Sequence, residues 1–309
     1  MLRIGATLLV FLGLFEISRT IYSFFQNDIL YAALYLASFM VPVAFFRWFS
    51  RGKHTEPMRL GLILTPDTPL LLIAAIGLVL ACASLNSLIL TPFISPDFNP
   101  EDVFIQSDYS TNYNLVVQFI AVALVPGICE EFLFRGMILS NLMPYGKTSA
   151  IIISALLFGL MHQNPLQMFY TTMAGILLAL IYVYTNSIWC STLVHICNNG
   201  LSVILEALQQ RLPEDQQWYV VILDICVYVA AAVSILLLIK NKRKRFSEKP
   251  DFRDGIFEKT LPEAVGYQRY PVSPAKKVKL FFTPTIIIFL VMSAIQMLLI
   301  FSVLLFGTA

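Results

Sequence analysis

The chain alternates long apolar stretches with short polar segments, a pattern typical of proteins that cross a membrane several times. A membrane-spanning helix needs about 20 mainly apolar residues to cross a hydrocarbon core of roughly 30 Å. Nine segments come near that length, namely 4–23, 29–49, 69–92, 113–140, 148–164, 166–185, 187–206, 218–239 and 280–306. The pattern therefore predicts an all-α, polytopic membrane helical bundle with about eight to nine transmembrane helices.

Composition agrees with a membrane protein and excludes several other classes. Hydrophobic residues make up 58% of the chain and charged residues 13%, against roughly 45–50% and about 25% in soluble domains. The formal net charge of +2 offers no case for a nucleic-acid partner. The five cysteines lie in apolar segments without a CxxC spacing, so neither a disulfide framework nor a zinc ribbon is indicated.

The distribution of basic residues predicts the orientation in the membrane. Residues 240–279 contain 12 of the 21 lysine and arginine residues, whereas 93–112 contain four acidic residues and no basic one. Cytoplasmic loops carry the excess of basic residues, so the 240–279 loop is expected in the cytoplasm and 93–112 on the other side. Nine crossings then place the N-terminus in the cytoplasm. Compact length and cysteine-poor loops favour a bacterial plasma membrane.

The stretch "VPGICEEFLFRG", residues 125–136, places three charged side chains inside a predicted span. Each such group costs about 2.5–3.5 kcal/mol at mid-membrane on insertion scales, so these groups need partners or a wet cavity. Glu131 and Arg135 are i, i+4 neighbours and can neutralise each other. Glu130 is rotated by about 100° from Glu131 and has no comparable cation on its helix. Glu130 is therefore a candidate for chemistry, although an ion pair with a second interfacial acid would be purely structural.

Two histidines in apolar spans can complete a polar site with Glu130. His162 and His195 lie in different predicted helices, and Asn199 follows His195 by one helical turn. A carboxylate next to an imidazole can orient a water molecule and accept its proton. A second imidazole and an amide donor can stabilise the oxyanion of a tetrahedral intermediate. The combination predicts a water-activating site assembled from three helices.

Three short motifs carry a family resemblance. They occur in this order, each on its own predicted helix: Glu130-Glu131-x-x-x-Arg135, Phe158-x-x-x-His162 and His195-x-x-x-Asn199. Together they resemble the CAAX-protease and bacteriocin-processing (CPBP/Abi, Rce1-type) family of intramembrane glutamic endopeptidases. The resemblance covers roughly residues 113–206.

The resemblance implies a role for each motif residue. It implies that Glu130 and His162 activate water and that His195 and Asn199 form the oxyanion site. Glu131 and Arg135 would support the first motif. The implied substrate is a peptide or protein at the membrane, either prenylated or a small bacteriocin-like or membrane peptide.

The resemblance also divides the chain. Residues 1–112 are expected to form N-terminal transmembrane helices, 113–206 the CAAX-protease-like catalytic core, and 207–309 the C-terminal helices with the basic loop 240–279. Within the core, His162 lies near the end of its predicted helix, whereas Glu130 lies nearer mid-membrane. A short or tilted fifth helix, or a water-filled cavity, is needed to bring the two side chains together.

Two other functions use the same residues. Glu130, His162 and His195 could be zinc ligands, because two histidines and a glutamate form many catalytic zinc sites. Each comes from a separate helix, however, and no HExxH occurs, so we expect a site without metal or other cofactor. Alternatively, the polar cluster could be the ligand site of a non-catalytic membrane binding, immunity or scaffold protein, or of a transporter.

Overall fold

The computed structural model describes residues 1–61, 66–94, 109–248, 273, 279 and 281–306. The principal helices of this part of the chain are α1 (Leu2–Phe25), α2 (Asp28–Phe49), α3 (Thr68–Leu90), α4 (Asn112–Tyr145), α5 (Lys147–Met161), α6 (Pro165–Thr185), α7 (Ile188–Arg211), α8 (Trp218–Glu248) and α9 (Pro284–Phe306). No strand occurs among these residues. The predicted all-α, polytopic bundle is confirmed.

Eight of these helices are long and apolar enough to cross a membrane, and α5 is the exception. The predicted span 148–164 is a helix of 15 residues, Lys147–Met161, which is about 22 Å long and shorter than the hydrocarbon core. The count of eight lies within the predicted range. The fifth helix is therefore short, which is one of the arrangements expected for bringing His162 towards Glu130.

Most of the two loops that determine the predicted orientation lies outside the described residues. The acidic segment 93–112 is described only at its ends, and the basic loop 240–279 only up to residue 248 and at 273 and 279. The chain is a multi-pass membrane protein. The cytoplasmic N-terminus, the plasma-membrane location and the three-part division of the chain stay predictions.

Helix α4 lies at the centre of the bundle and packs against α2, α5 and α7. Around it, α1 pairs with α2, α5 pairs with α6, and α3 packs between α6 and α8. The second half of α4 has the most buried apolar side chains, namely Leu133, Phe134, Met137, Ile138 and Leu139. A helix that is apolar all round is stable only inside such a bundle or in lipid, so the centre of α4 is the place where charged groups can be kept from lipid.

Helix α4 is not a regular α-helix along its whole length. Two π-helical segments, Phe119–Leu124 and Phe132–Leu139, flank the α-helical segment Val125–Glu131. Pro126 has no N–H to donate to the carbonyl of Val122, its i−4 residue. Single π-turns occur frequently at functional sites. The two π-helical segments therefore lie on either side of the segment that ends in Glu130 and Glu131.

The distance between α4 and α7 is determined by a glycine. A Cβ atom on Gly127 would lie 2.5 Å from Cγ1 and 3.1 Å from the backbone nitrogen of Ile196. Such distances are too short for a real contact, so the two helices approach this closely only because residue 127 has no side chain. The same approach brings α7 next to the glutamates.

Gly127→Ala is expected to destabilise the protein by about 1–3 kcal/mol, because the new methyl group must push α7 away from α4. Thermal unfolding of the detergent-solubilised protein measures the effect. Gly13→Ala is the matched control, since a Cβ there meets nothing within 4 Å among the described residues. Equal unfolding temperatures for the two variants would show that the close approach of α4 and α7 has no energetic importance.

Candidate active site

Three charged side chains of α4 are buried together. Glu130 is 3% exposed, Glu131 0% and Arg135 1%. Arg135 Nη1 donates to Glu131 Oε1 at 2.7 Å, and Nη2 donates to the backbone carbonyl of Gly175 on α6 at 3.1 Å. The guanidinium also lies 4.4 Å from the ring centroid of Phe158 on α5. The predicted Glu131–Arg135 pair is therefore present, and it links α4 to α5 and α6.

His195 of α7 lies between the two glutamates. Its Nδ1 is 3.0 Å from Glu131 Oε1, and its Nε2 is 3.7 Å from Glu130 Oε2. Because a carboxylate only accepts hydrogen bonds, the contact with Glu131 requires a proton on Nδ1. Glu131 thus receives hydrogen bonds from both Arg135 and His195, which fixes the imidazole with Nε2 towards Glu130.

The two oxygens of Glu130 have different surroundings. Oε1 accepts a hydrogen bond from the hydroxyl of Tyr35 on α2, at 2.5 Å. Oε2 is buried and has no hydrogen-bond partner among the described residues. A buried carboxylate oxygen without a donor is costly unless water or a substrate group meets it. Glu131 Oε2 is likewise buried without a hydrogen-bond partner among the described residues, but the Glu131 carboxylate already accepts from Arg135 and His195 through Oε1. Glu130 Oε2 is therefore the oxygen of the cluster that is best placed to accept a proton.

His162 follows the last residue of α5 and is half-buried. Its Nδ1 is 2.9 Å from the carbonyl oxygen of Phe158, so Nδ1 carries the hydrogen and Nε2 is left for another partner. Within the described part of the chain, no hydrogen bond or ion pair joins His162 to Glu130. The ring of Phe158 contacts both imidazoles edge-to-face, with centroid distances of 5.1 Å to His162 and 5.8 Å to His195.

Asn199 lies one turn after His195 and is held against α4. Its Nδ2 donates to the carbonyl oxygen of Val122 at 3.1 Å, which is the carbonyl that Pro126 cannot satisfy. Asn198 Nδ2 donates in turn to Asn199 Oδ1 at 3.3 Å. The amide of Asn199 has two N–H groups, so one remains for a ligand while the other joins α7 to α4.

The structure thus brings the sequence-predicted residues to one region, but it pairs them differently. The predicted partner of Glu130 is His162, whereas the imidazole that the structure places beside Glu130 is His195. Tyr35 was not predicted. Its only sequence signal is a hydroxyl group in an apolar span. This signal does not distinguish it, because the chain contains 13 tyrosines.

The arrangement can be compared with the two kinds of chemistry that the sequence allows. Among the described residues, no group of three or more histidine, cysteine, aspartate or glutamate side chains has a geometry that could hold a metal ion. The carboxylate oxygen of Glu130 and the imidazole of His195 are separated by a gap longer than a direct hydrogen bond. Such a pair can hold and deprotonate a water molecule.

Comparison with known proteins gives a match over the region that contains these motifs. Residues 112–201 match the family model described as "Type II CAAX prenyl endopeptidase Rce1-like". The chain is also 31% identical over 104 residues to a protein of Bacillus subtilis (strain 168) named "Putative membrane peptidase YdiL". That alignment covers 33% of this chain and 42% of the relative, so the chain matches less than half of the relative's length. No solved structure matches the chain significantly.

The resemblance inferred from the three motifs is confirmed for residues 112–201. All six residues proposed from the sequence for the site fall in this range: Glu130, Glu131, Arg135, His162, His195 and Asn199. Tyr35 lies outside it, on a helix that the family model does not cover.

Proposed function

We propose that the protein is an intramembrane endopeptidase that hydrolyses a peptide bond with water activated by Glu130. The observation that carries this proposal is the position of Glu130 Oε2, which is buried, lies 3.7 Å from His195 Nε2 and has no hydrogen-bond partner within residues 1–61, 66–94, 109–248 and 281–306. The similarity of residues 112–201 to CAAX prenyl endopeptidases and the named peptidase from Bacillus subtilis support the same reaction class.

In the proposed reaction, Glu130 Oε2 accepts a proton from a water molecule, and the resulting hydroxide adds to the carbonyl carbon of the substrate. The carbonyl oxygen becomes an oxyanion in the tetrahedral intermediate. When the intermediate collapses, the C–N bond breaks and the proton held by Glu130 passes to the leaving amine. No net proton is gained or lost, so Glu130 begins the next cycle ionised.

The other residues have supporting roles in this proposal. His162 would hold the water with its Nε2, since its Nδ1 is occupied by the carbonyl of Phe158. His195 and Asn199 would stabilise the oxyanion with Nε2–H and the second amide N–H. This role requires a hydrogen on both ring nitrogens of His195, because Nδ1–H is used by Glu131 and the oxyanion needs a donor on Nε2.

Glu131 and Arg135 are proposed to support the site rather than to react. The Glu131 carboxylate accepts from both the guanidinium and the His195 ring through Oε1. Its charge is therefore already balanced by Arg135, which makes it a weaker candidate for the base than Glu130, although its Oε2 has no partner among the described residues. The proposed setting is a bacterial plasma membrane, and the proposed substrate class is a membrane-associated peptide or protein, prenylated or not.

The purified full-length chain is expected to cleave peptides, and its activity is expected to survive a metal chelator. The probes are a fluorescence-quenched farnesylated CAAX peptide, its unprenylated counterpart and a peptide library, with products located by mass spectrometry. Faster cleavage of the farnesylated probe would indicate that the substrates are prenylated. Equal cleavage of the two probes would show that the prenyl group is not recognised.

Two results would contradict this proposal in different ways. Stoichiometric zinc whose removal abolishes cleavage, and whose return restores it, would make Glu130, His162 and His195 metal ligands. No cleavage of any of the three probes by protein that is folded and inserted would favour a non-catalytic binding, immunity or scaffold protein.

A further inference from the structure

Helix α2 contributes one polar atom to the candidate site. The hydroxyl of Tyr35 donates to Glu130 Oε1 at 2.5 Å, across 95 residues of sequence. This distance is at the short limit for an O–H···O⁻ hydrogen bond, which is the strong, charge-assisted kind. A residue of the N-terminal helices therefore contacts the carboxylate that is proposed to react.

The hydrogen bond makes the two carboxylate oxygens inequivalent. Oε1 is occupied by Tyr35, whereas Oε2 is buried, has no hydrogen-bond partner in the part of the chain that the structure describes, and faces His195 Nε2 at 3.7 Å. The terminal torsion of a glutamate is broad and allows its carboxylate to turn. A donor on one oxygen restricts this rotation and leaves the other oxygen in place for a water molecule.

Packing of the Tyr35 ring aims its hydroxyl. The ring lies 4.9 Å from that of Phe39, 5.8 Å from that of Phe15 and 5.9 Å from that of Tyr31, measured between centroids. Three aromatic neighbours hold the ring plane, so little conformational entropy is lost when the hydroxyl bonds Glu130. Catalytic groups need such support from residues whose own rotamers are fixed by packing.

We propose that Tyr35 is a positioning residue for Glu130, whose hydrogen bond to Oε1 restricts rotation of the carboxylate and presents Oε2 towards His195. This inference rests on the proposed function in one respect, namely that Glu130 is the base. Tyr35 itself neither gains nor loses a proton during the reaction. It acts on the rate of the chemical step and does not contact the substrate.

Tyr35→Phe is expected to lower kcat for the cleaved probe by roughly 10- to 100-fold, because a carboxylate that is free to turn no longer holds Oε2 in place for the water molecule. KM is expected to stay unchanged, because the interaction acts on water activation rather than on substrate binding. Tyr228→Phe is the matched control. It removes a tyrosine hydroxyl outside the candidate site, where Tyr228 of α8 is hydrogen-bonded to Ser84 of α3 at 2.7 Å, and it is expected to behave as the wild type.

A chemical probe tests the same contact without any assay of activity. Dicyclohexylcarbodiimide reacts with protonated carboxyl groups in apolar surroundings, and mass spectrometry measures the label on the peptide that contains residue 130. Loss of the label in Glu130→Gln assigns it to Glu130 rather than Glu131. Without the Tyr35 hydroxyl, Oε1 loses its donor and the Glu130 carboxyl is free to turn, so Tyr35→Phe should be labelled several-fold faster than wild type and Tyr228→Phe.

The two readouts separate the possible failures. Equal labelling of wild type and Tyr35→Phe would overturn the positioning role, whatever the protein does to peptides. Faster labelling together with unchanged kcat would also overturn it, because the contact would then have no effect on the reaction. If Tyr35→Phe is labelled faster but the wild-type protein cleaves no probe, the contact is supported and only the proposed function is contradicted.

Discussion

Replacing Glu130 with glutamine is expected to abolish peptide cleavage, with a loss of at least about 10²- to 10⁴-fold, while the protein stays folded and inserted. The amide keeps the size and shape of the side chain, but it cannot accept the proton of a water molecule. Tyr35 can still donate to the amide oxygen, so the packing between α2 and α4 is retained. Cleavage of the probe peptides and thermal unfolding are measured on the same preparation.

Glu16→Gln is the matched control for this variant. Glu16 lies on α1, is partly exposed, and is 3.8 Å from Arg19, so its removal is expected to leave cleavage unchanged. An exposed pair of this kind contributes little to stability. Near-normal turnover in Glu130→Gln would be incompatible with a role for this carboxylate as the base.

Glu131→Gln is expected to destabilise the protein by about 3–5 kcal/mol, the usual effect of removing one partner from a buried ion pair. The variant leaves the guanidinium of Arg135 buried without its carboxylate, and it removes the acceptor that orients His195. Both activity and the unfolding temperature should fall. The distinguishing measurement is therefore thermal unfolding, in which Glu130→Gln and Glu131→Gln should differ clearly.

A double variant tests the origin of this loss. Arg135→Gln removes the unpaired charge, so Glu131→Gln combined with Arg135→Gln should unfold at a higher temperature than the sum of the two single effects predicts. Additive effects would mean that the two side chains do not interact in the membrane. A Glu131→Gln protein that is inactive but fully stable would contradict the division of roles between the two glutamates.

Helix geometry alone predicts that Glu131, rather than Glu130, pairs with Arg135. Residues four apart lie on one helix face, so the pairing of Glu131 with Arg135 was predictable, and the structure contains it. Glu130 could be singled out because its own helix offers no second cation. What the helix could not reveal is the partner of Glu130, since that partner is supplied by other helices.

The pairing of the histidines shows this limit. The sequence predicts His162 beside Glu130 and His195 at the oxyanion, and each assignment depends on how three helices rotate about their axes. In the structure, the close approach at Gly127 brings α7 against α4, and His195 enters between the two carboxylates. The catalytic roles of both histidines remain predictions.

The sequence by itself determined the helices, because burial of apolar side chains in lipid requires stretches of a fixed length and every backbone group in them must be hydrogen-bonded within its helix. It also determined which residues carry charge or donors into the membrane, since such groups are few and costly there. Only the tertiary structure decided the contact of Tyr35 with Glu130 and the position of His195 between the two glutamates. These features depend on contacts between residues far apart in the chain, which neither hydrophobic periodicity nor local spacing encodes.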